Sequence, residues 1–180
     1  MQVTVREMRP DEWADAQAVC IGAFDEDGID TLLTALHSSW GWADSLAFVA
    51  VVDDEVVGLV IYTPCFVDAP DRVVPVLVLS PLGVRRDLQG AGIGSALVRE
   101  SLAALERTRS EPAVFLEGIP SYYPRFGFQR ASSMGFTAPS TRIPDAACMV
   151  YPLPSYQPSV RGALVYADAF WRADAVGLRE

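Results

Sequence analysis

Gln89-Gly90-Ala91-Gly92-Ile93-Gly94-Ser95 stands between a Val- and Leu-rich run, residues 73–84, and an amphipathic segment, residues 94–109. In that segment Leu97, Leu102 and Leu105 share one side, while Arg99, Glu100 and Arg107 lie among the rest, which is a helical pattern. The unit therefore reads as strand, glycine turn, helix. Alternating glycines remove Cβ atoms where a backbone must curl around something. The free N–H groups of such a turn, with those of the helix start, make an anion site, and a pyrophosphate is its natural guest. A dinucleotide turn wants glycines at the first, third and sixth positions, and the sixth position from Gly90 is Ser95. The gap from Val84 to Gly90 is also longer than that motif's tight turn. A P-loop needs a lysine, and the chain contains none. The plain alternative is a helix entry with incidental glycines.

Just upstream, Ser80-Pro81-Leu82-Gly83-Val84 puts Pro and Gly at the end of a buried strand. Proline cannot donate to a ladder, and strand glycine marks a bulge or a close backbone approach. A bulge here frees main-chain groups for a ligand.

Working outward, residues 2–7 alternate as a strand, and Pro10, Asp11 and Glu12 open a helix running to about Ala23. A second helix is expected over residues 29–38, with Leu32, Leu33 and Leu36 at helical spacing. Residues 46–52 and 55–67 read as a hairpin around Asp53-Asp54. Further strands are expected at 112–117, 128–131, 146–153 and 162–166. A helical turn with Ser121 as cap spans 121–126, residues 134–144 form a loop, and the tail, 167–180, is helical. No repeat or linker divides residues 1–180, so a single α/β (α+β) domain with a mixed sheet is the economical reading.

Composition narrows the function. Fourteen basic and 23 acidic residues give a net charge of −9, which disfavours nucleic acid as a partner. No apolar run reaches the roughly 20 residues of a membrane helix, and the N-terminus lacks a signal-peptide core, so the expected location is cytoplasmic. Cys20, Cys65 and Cys148 are few and far apart, which implies free thiols and no metal site. The lone histidine, His37, falls at a helix end and suggests packing or capping.

The motifs taken in order resemble the GNAT N-acetyltransferases. The acetyl-CoA motif of that family is Arg or Gln, two residues, Gly, one residue, Gly or Ala, and Gln89, Gly92 and Gly94 match it. Tyr122-Tyr123-Pro124-Arg125-Phe126-Gly127-Phe128 matches the second signature, an aromatic pair leading to Gly-Phe. This form, with the later segment 147–153, is most similar to the YhbS-type acetyltransferases within the superfamily.

The resemblance implies a GNAT-like domain whose central, mixed and mostly antiparallel sheet is flanked by helices and splays to hold acyl-CoA. It implies acetyl-CoA as cofactor and transfer of the acetyl group to an amine in a ternary complex. Leu82, Gly83 and Val84 would pair with the pantetheine arm, with a main-chain N–H near Leu82 or Val84 stabilising the oxyanion. Gln89, Gly90, Ala91, Gly92, Ile93, Gly94 and Ser95 would hold the pyrophosphate, with Arg85 and Arg86 either adding charge or lying in solvent. Tyr123 aligns with the family's proton donor, and Tyr122 with a packing neighbour.

The chain departs from the family twice. It has no Asn before the tyrosine, where Glu117-Gly118-Ile119-Pro120 stands, and it carries Ser80 where many members have a carboxylate base. Glu117 is the base candidate. The acceptor is a small-molecule or peptide amine of open identity. Trp40 and Trp42 either border its site or plug the core, and Asp25, Glu26, Asp27 and Asp30 either draw a cation or form a solvated loop. The late strands and Phe170-Trp171 offer a homodimer contact. The competing function is a non-catalytic acyl-CoA-binding sensor or partner module, and a nucleotide-binding protein is the third.

Overall fold

The computed structural model describes residues 2–25, 28–39, 41–42 and 46–178. In chain order its elements are β1 (Thr4–Glu7), α1 (Trp13–Ala23), α2 (Ile29–His37), β2 (Leu46–Val52), β3 (Glu55–Asp68), β4 (Val73–Val84), α3 (Ile93–Thr108), β5 (Ala113–Glu117), β6 (Gln129–Arg130), β7 (Phe136–Thr137), β8 (Cys148–Pro152), β9 (Gly162–Val165) and α4 (Asp168–Arg172). Asp53 and Asp54 turn the β2–β3 hairpin with φ of 49° and 66°, the primed-turn geometry that matches strand twist.

The sheet runs β1-β2-β3-β4-β5-β8-β6, with β9 laid along the far end of β3 and β7 beside β9. Its pairs are antiparallel except β4–β5 and β7–β9. The parallel pair follows from the α3 crossover, which returns the chain to the same end of the sheet.

Helices cover both faces. On one, Ile93, Leu97 and Leu105 of α3 pack on Tyr62, Leu77, Leu79 and Leu116. On the other, Leu32 and Leu36 of α2 and Phe170 of α4 pack on Val76, Val78 and Phe115, while Cys20 of α1 meets Leu59 and Ile61. Each such buried side chain stabilises the fold by about 1.5–3 kcal/mol. A buried polar contact joins α3 to the sheet: the hydroxyls of Tyr62 and Ser101 lie 2.6 Å apart.

The local departures from expectation have local causes. Ser121 does not cap a helix. The short 3-10 turn is Tyr123–Phe126, its N-cap position is Tyr122, and no side chain caps it. The tail is helical only over Asp168–Arg172, because Asp174 takes φ 52° and Gly177 φ 66°, which end a helix. Within the expected loop, Phe136 and Thr137 pair with Gly162 and Ala163. Phe170 is buried and therefore closed to a dimer contact, whereas Trp171 is exposed. Among the described residues, no helix is long and apolar enough to cross a membrane.

One irregularity sets up the site. Val60 pairs with Leu82 and Tyr62 with Leu79, so Ser80 and Pro81 together oppose Ile61: a bulge in β4. An extra residue reverses which face each later side chain meets. Before it, Val76 and Val78 face α2 and α4, and Leu77 and Leu79 face α3. After it, Leu82 and Val84 face α3, and Gly83 faces α1, where its backbone comes so close that an added Cβ would lie 2.9 Å from the Cys20 Sγ.

Candidate active site

The turn before α3 is built from main-chain groups. Gly90 and Gly92 hold φ of 80° and 87°, and a Cβ on either would meet no protein atom within 4 Å, so both face open space. The first intrahelical bond runs from the Ala96 amide to the Gly92 carbonyl at 3.0 Å. The amides of the preceding residues thus sit in the first turn, where a helix supplies no acceptor. That turn carries no acidic residue. These features fit an anionic phosphate group.

A cavity of about 450 Å³ opens there, lined by Leu82, Val84, Gln89, Ser95, Tyr122 and Arg125, with the glycines of the turn. The Gln89 side chain spends its donors on the protein, bonding the carbonyls of Ala23 at 3.2 Å and Val84 at 3.0 Å. It therefore shapes the turn. Arg86 does likewise, donating to the Gly22 and Phe24 carbonyls at 2.6 Å and pairing with Asp25. Arg85 pairs with Glu55 and Asp87. The cation at this cavity is instead Arg125, whose guanidinium lies 4.1 Å from the Tyr122 ring centroid and donates to the Tyr122 carbonyl. Arg125 sits inside a signature read for its tyrosines, and no charge pattern singles it out. The Tyr122 hydroxyl reaches this cavity, 3.5 Å from the Ser95 hydroxyl.

β4 and β5 then part. Their last pair is Val78 with Phe115, yet β4 runs on to Val84 and β5 to Glu117. The Arg85 amide donates to the Val57 carbonyl on β3 at 2.8 Å. Backbone alternation then turns Gly83 toward β3 and the main-chain groups of Leu82 and Val84 toward the opening. The bond from Gln89 to the Val84 carbonyl agrees with that direction.

On the opposite face of the sheet a second cavity, about 500 Å³, is lined by Val78, Ser80, Glu117 and Gly118, with walls from α2 and the C-terminal tail. Glu117 is half-buried, and burial raises its carboxyl above the ordinary 4.5. Two features oppose that rise: the Gly177 amide donates to its Oε2 at 3.1 Å, and Arg142 adds positive potential. The Cys148 thiol and the Tyr166 hydroxyl also feel its charge. The contribution of the tail to this cavity carries no signal in the sequence, because Gly177 acts through its backbone.

Tyr123 packs over Gly118, where a Cβ would collide with its ring, and its ring also meets Phe126 and Phe128. Burial pushes its hydroxyl up to about 12. Tyr123 thus packs into the core on the α3 side of the sheet, while Tyr122 borders the first cavity.

Other candidates are absorbed by packing. His37 stacks on Trp13 at 4.4 Å and meets Trp42. The three cysteines are free and buried, their thiols pushed up to about 11 or 12. Among the described residues no cluster offers a metal site. Asp30 bonds the Thr31 amide. Trp40, Glu26 and Asp27 lie outside the described residues.

Comparison with known proteins matches the model of the acetyltransferase (GNAT) domain to residues 4–131. The uncharacterized N-acetyltransferase YjhQ of Escherichia coli (strain K12) is 30% identical over 159 residues, covering 86% of this chain and 87% of YjhQ. Among solved structures, the GNAT family N-acetyltransferase YhbS of Escherichia coli in complex with CoA aligns with a TM-score of 0.80 at 24% identity, over 94% of this chain and 92% of that one. A GNAT family acetyltransferase from Brucella melitensis in complex with acetyl-CoA aligns with a TM-score of 0.71 at 24% identity, over 94% and 98%.

Proposed function

Because the chain belongs to the GNAT acetyltransferase family, we propose that it transfers an acetyl group from acetyl-CoA to a primary amine by direct attack in a ternary complex. The observation that carries this reading is the pair of cavities on opposite faces of the sheet where β4 and β5 part. The amide-rich turn with Arg125 suits the pyrophosphate, and the free edge of β4 suits the amide-bearing arm. Two relatives of this fold hold CoA and acetyl-CoA, which supports that assignment. Acetyl-CoA bound there supplies an activated thioester carbonyl and a thiol leaving group. The amides of Leu82 and Val84 donate where negative charge gathers on the carbonyl oxygen. Glu117 takes the proton that the attacking amine sheds. Tyr123, kept protonated by burial, gives its proton at sulfur.

Thermal melting with acetyl-CoA, CoA and NAD tests the donor assignment. A ligand that binds only the folded state raises the melting temperature. Both CoA species should do so and NAD should not. Gly92→Glu, which forces a side chain into the open space of the turn, should abolish the shift. No shift at millimolar CoA would overturn the reading, and a shift with no acetyl transfer to any amine would favour a binding module.

A further inference from the structure

Resting on the donor reading above, we infer that the acceptor is a small primary amine with an apolar body, of the alkylamine or arylalkylamine class, and not a polyamine or other polycation. The second cavity carries the argument. Its volume, about 500 Å³, falls within the range of about 300–1,000 Å³ typical of pockets that enclose small organic ligands. Its walls are Leu32, Val78, Ala147, Tyr166, Phe170 and other apolar groups, with Glu117 as the one charged side chain lining it among the described residues.

A single carboxylate neutralises a single ammonium. A second cationic centre along the ligand would meet apolar wall, where an unpaired charge is strongly disfavoured. Arg142, close enough to shift Glu117, adds repulsion at that end of the cavity. The lip points the same way. Ile119 and Leu178 both border the cavity, and they are 63% and 72% exposed. Two large apolar side chains left in water at the mouth of an apolar pocket are matched by an apolar ligand. Glu117 itself is oriented: the Gly177 amide holds Oε2, which leaves Oε1 for the amine.

The test is steady-state acetyl transfer, followed as CoA thiol release, with hexylamine and 2-phenylethylamine against spermidine and a lysine-containing peptide. The apolar amines should show kcat/KM at least tenfold above spermidine and the peptide. Ile119→Glu and Leu178→Glu, both at exposed positions where folding is least at risk, should lower kcat/KM for 2-phenylethylamine at least tenfold and leave the acetyl-CoA KM unchanged. Spermidine or the peptide as the better acceptor overturns the inference. So does unaltered 2-phenylethylamine kinetics in both lip variants, or no turnover of either apolar amine. In each of those cases a melting shift with CoA keeps the donor reading standing. Absence of that shift removes both.

Discussion

In the reaction proposed above, Glu117 and Tyr123 divide the proton traffic, and their surroundings suit them to opposite tasks. Burial raises the Glu117 carboxyl, which makes it a better proton acceptor. The group acts as a base only when ionised. Activity that depends on it is therefore present above its raised pKa and falls as pH drops through that value, above the ordinary 4.5. Glu117→Gln should lower kcat/KM about 100-fold, within the span of general-base effects, and should remove that acid limb from the pH–rate profile. Arg142, Cys148 and Tyr166 face the same carboxylate and remain in the variant, so loss of the limb reports Glu117 itself. Tyr123 stays protonated to about 12 and imposes no alkaline limb at ordinary pH. Tyr123→Phe keeps the packing over Gly118 and removes the hydroxyl. Its kcat should fall about 10- to 100-fold with the acetyl-CoA KM unchanged, as measured by thiol release. Tyr123 was singled out in the sequence by its place in the second signature, and Glu117 by its place at a strand end where the chain departs from that family pattern. Their settings were not legible there, since burial and the Gly177 bond come from segments far along the chain.

At the scale of elements, the start of α1 depends on a small ionic cluster. Glu12 is buried and accepts from Arg6 at 2.5 and 2.8 Å, from Arg9 Nη2 at 2.7 Å and from the Arg9 amide at 2.8 Å. The bond from Arg6, followed by those from Arg9, holds the carboxyl down at about 2 against the burial that opposes it. Unfolding returns the group to about 4.5. Its stabilisation is thus complete above pH 4.5 and lost as pH falls toward 2. Glu12→Gln should cost about 2 kcal/mol at neutral pH, as expected for hydrogen bonds to a charged group. The gap to the parent in urea unfolding should close by about pH 2. The sequence carried the helix entry here through Pro10, Asp11 and Glu12, but not the partner Arg6 on β1. The same boundary recurs elsewhere. β2, β3, β4 and α3 were legible within a residue because period and turn chemistry are local. β6 was expected within 128–131 and is found there, but β7 and the short span of α4 were not legible, because such short elements exist only by virtue of what they pair with or pack on.

For the whole molecule, charge and ligand are mismatched. A chain of net charge −9 must admit a donor that is itself polyanionic. Long-range repulsion slows such an encounter, while the amides of the turn act only at contact. Screening lengths shrink from about 30 Å at 0.01 M salt to about 8 Å at 0.15 M. The CoA association rate, followed by stopped flow, should therefore rise severalfold across that range, where a basic phosphate site would show a fall. The bulge at Ser80 and Pro81 has a consequence for how this enzyme can diverge. Upstream of it β4 lines the second cavity with Val78 and Ser80, and downstream it lines the first with Leu82 and Val84. With the acceptor and donor placed as proposed, substitutions on the two sides of that joint are selected separately, so a lineage is free to exchange one amine for another while its donor chemistry stays constant.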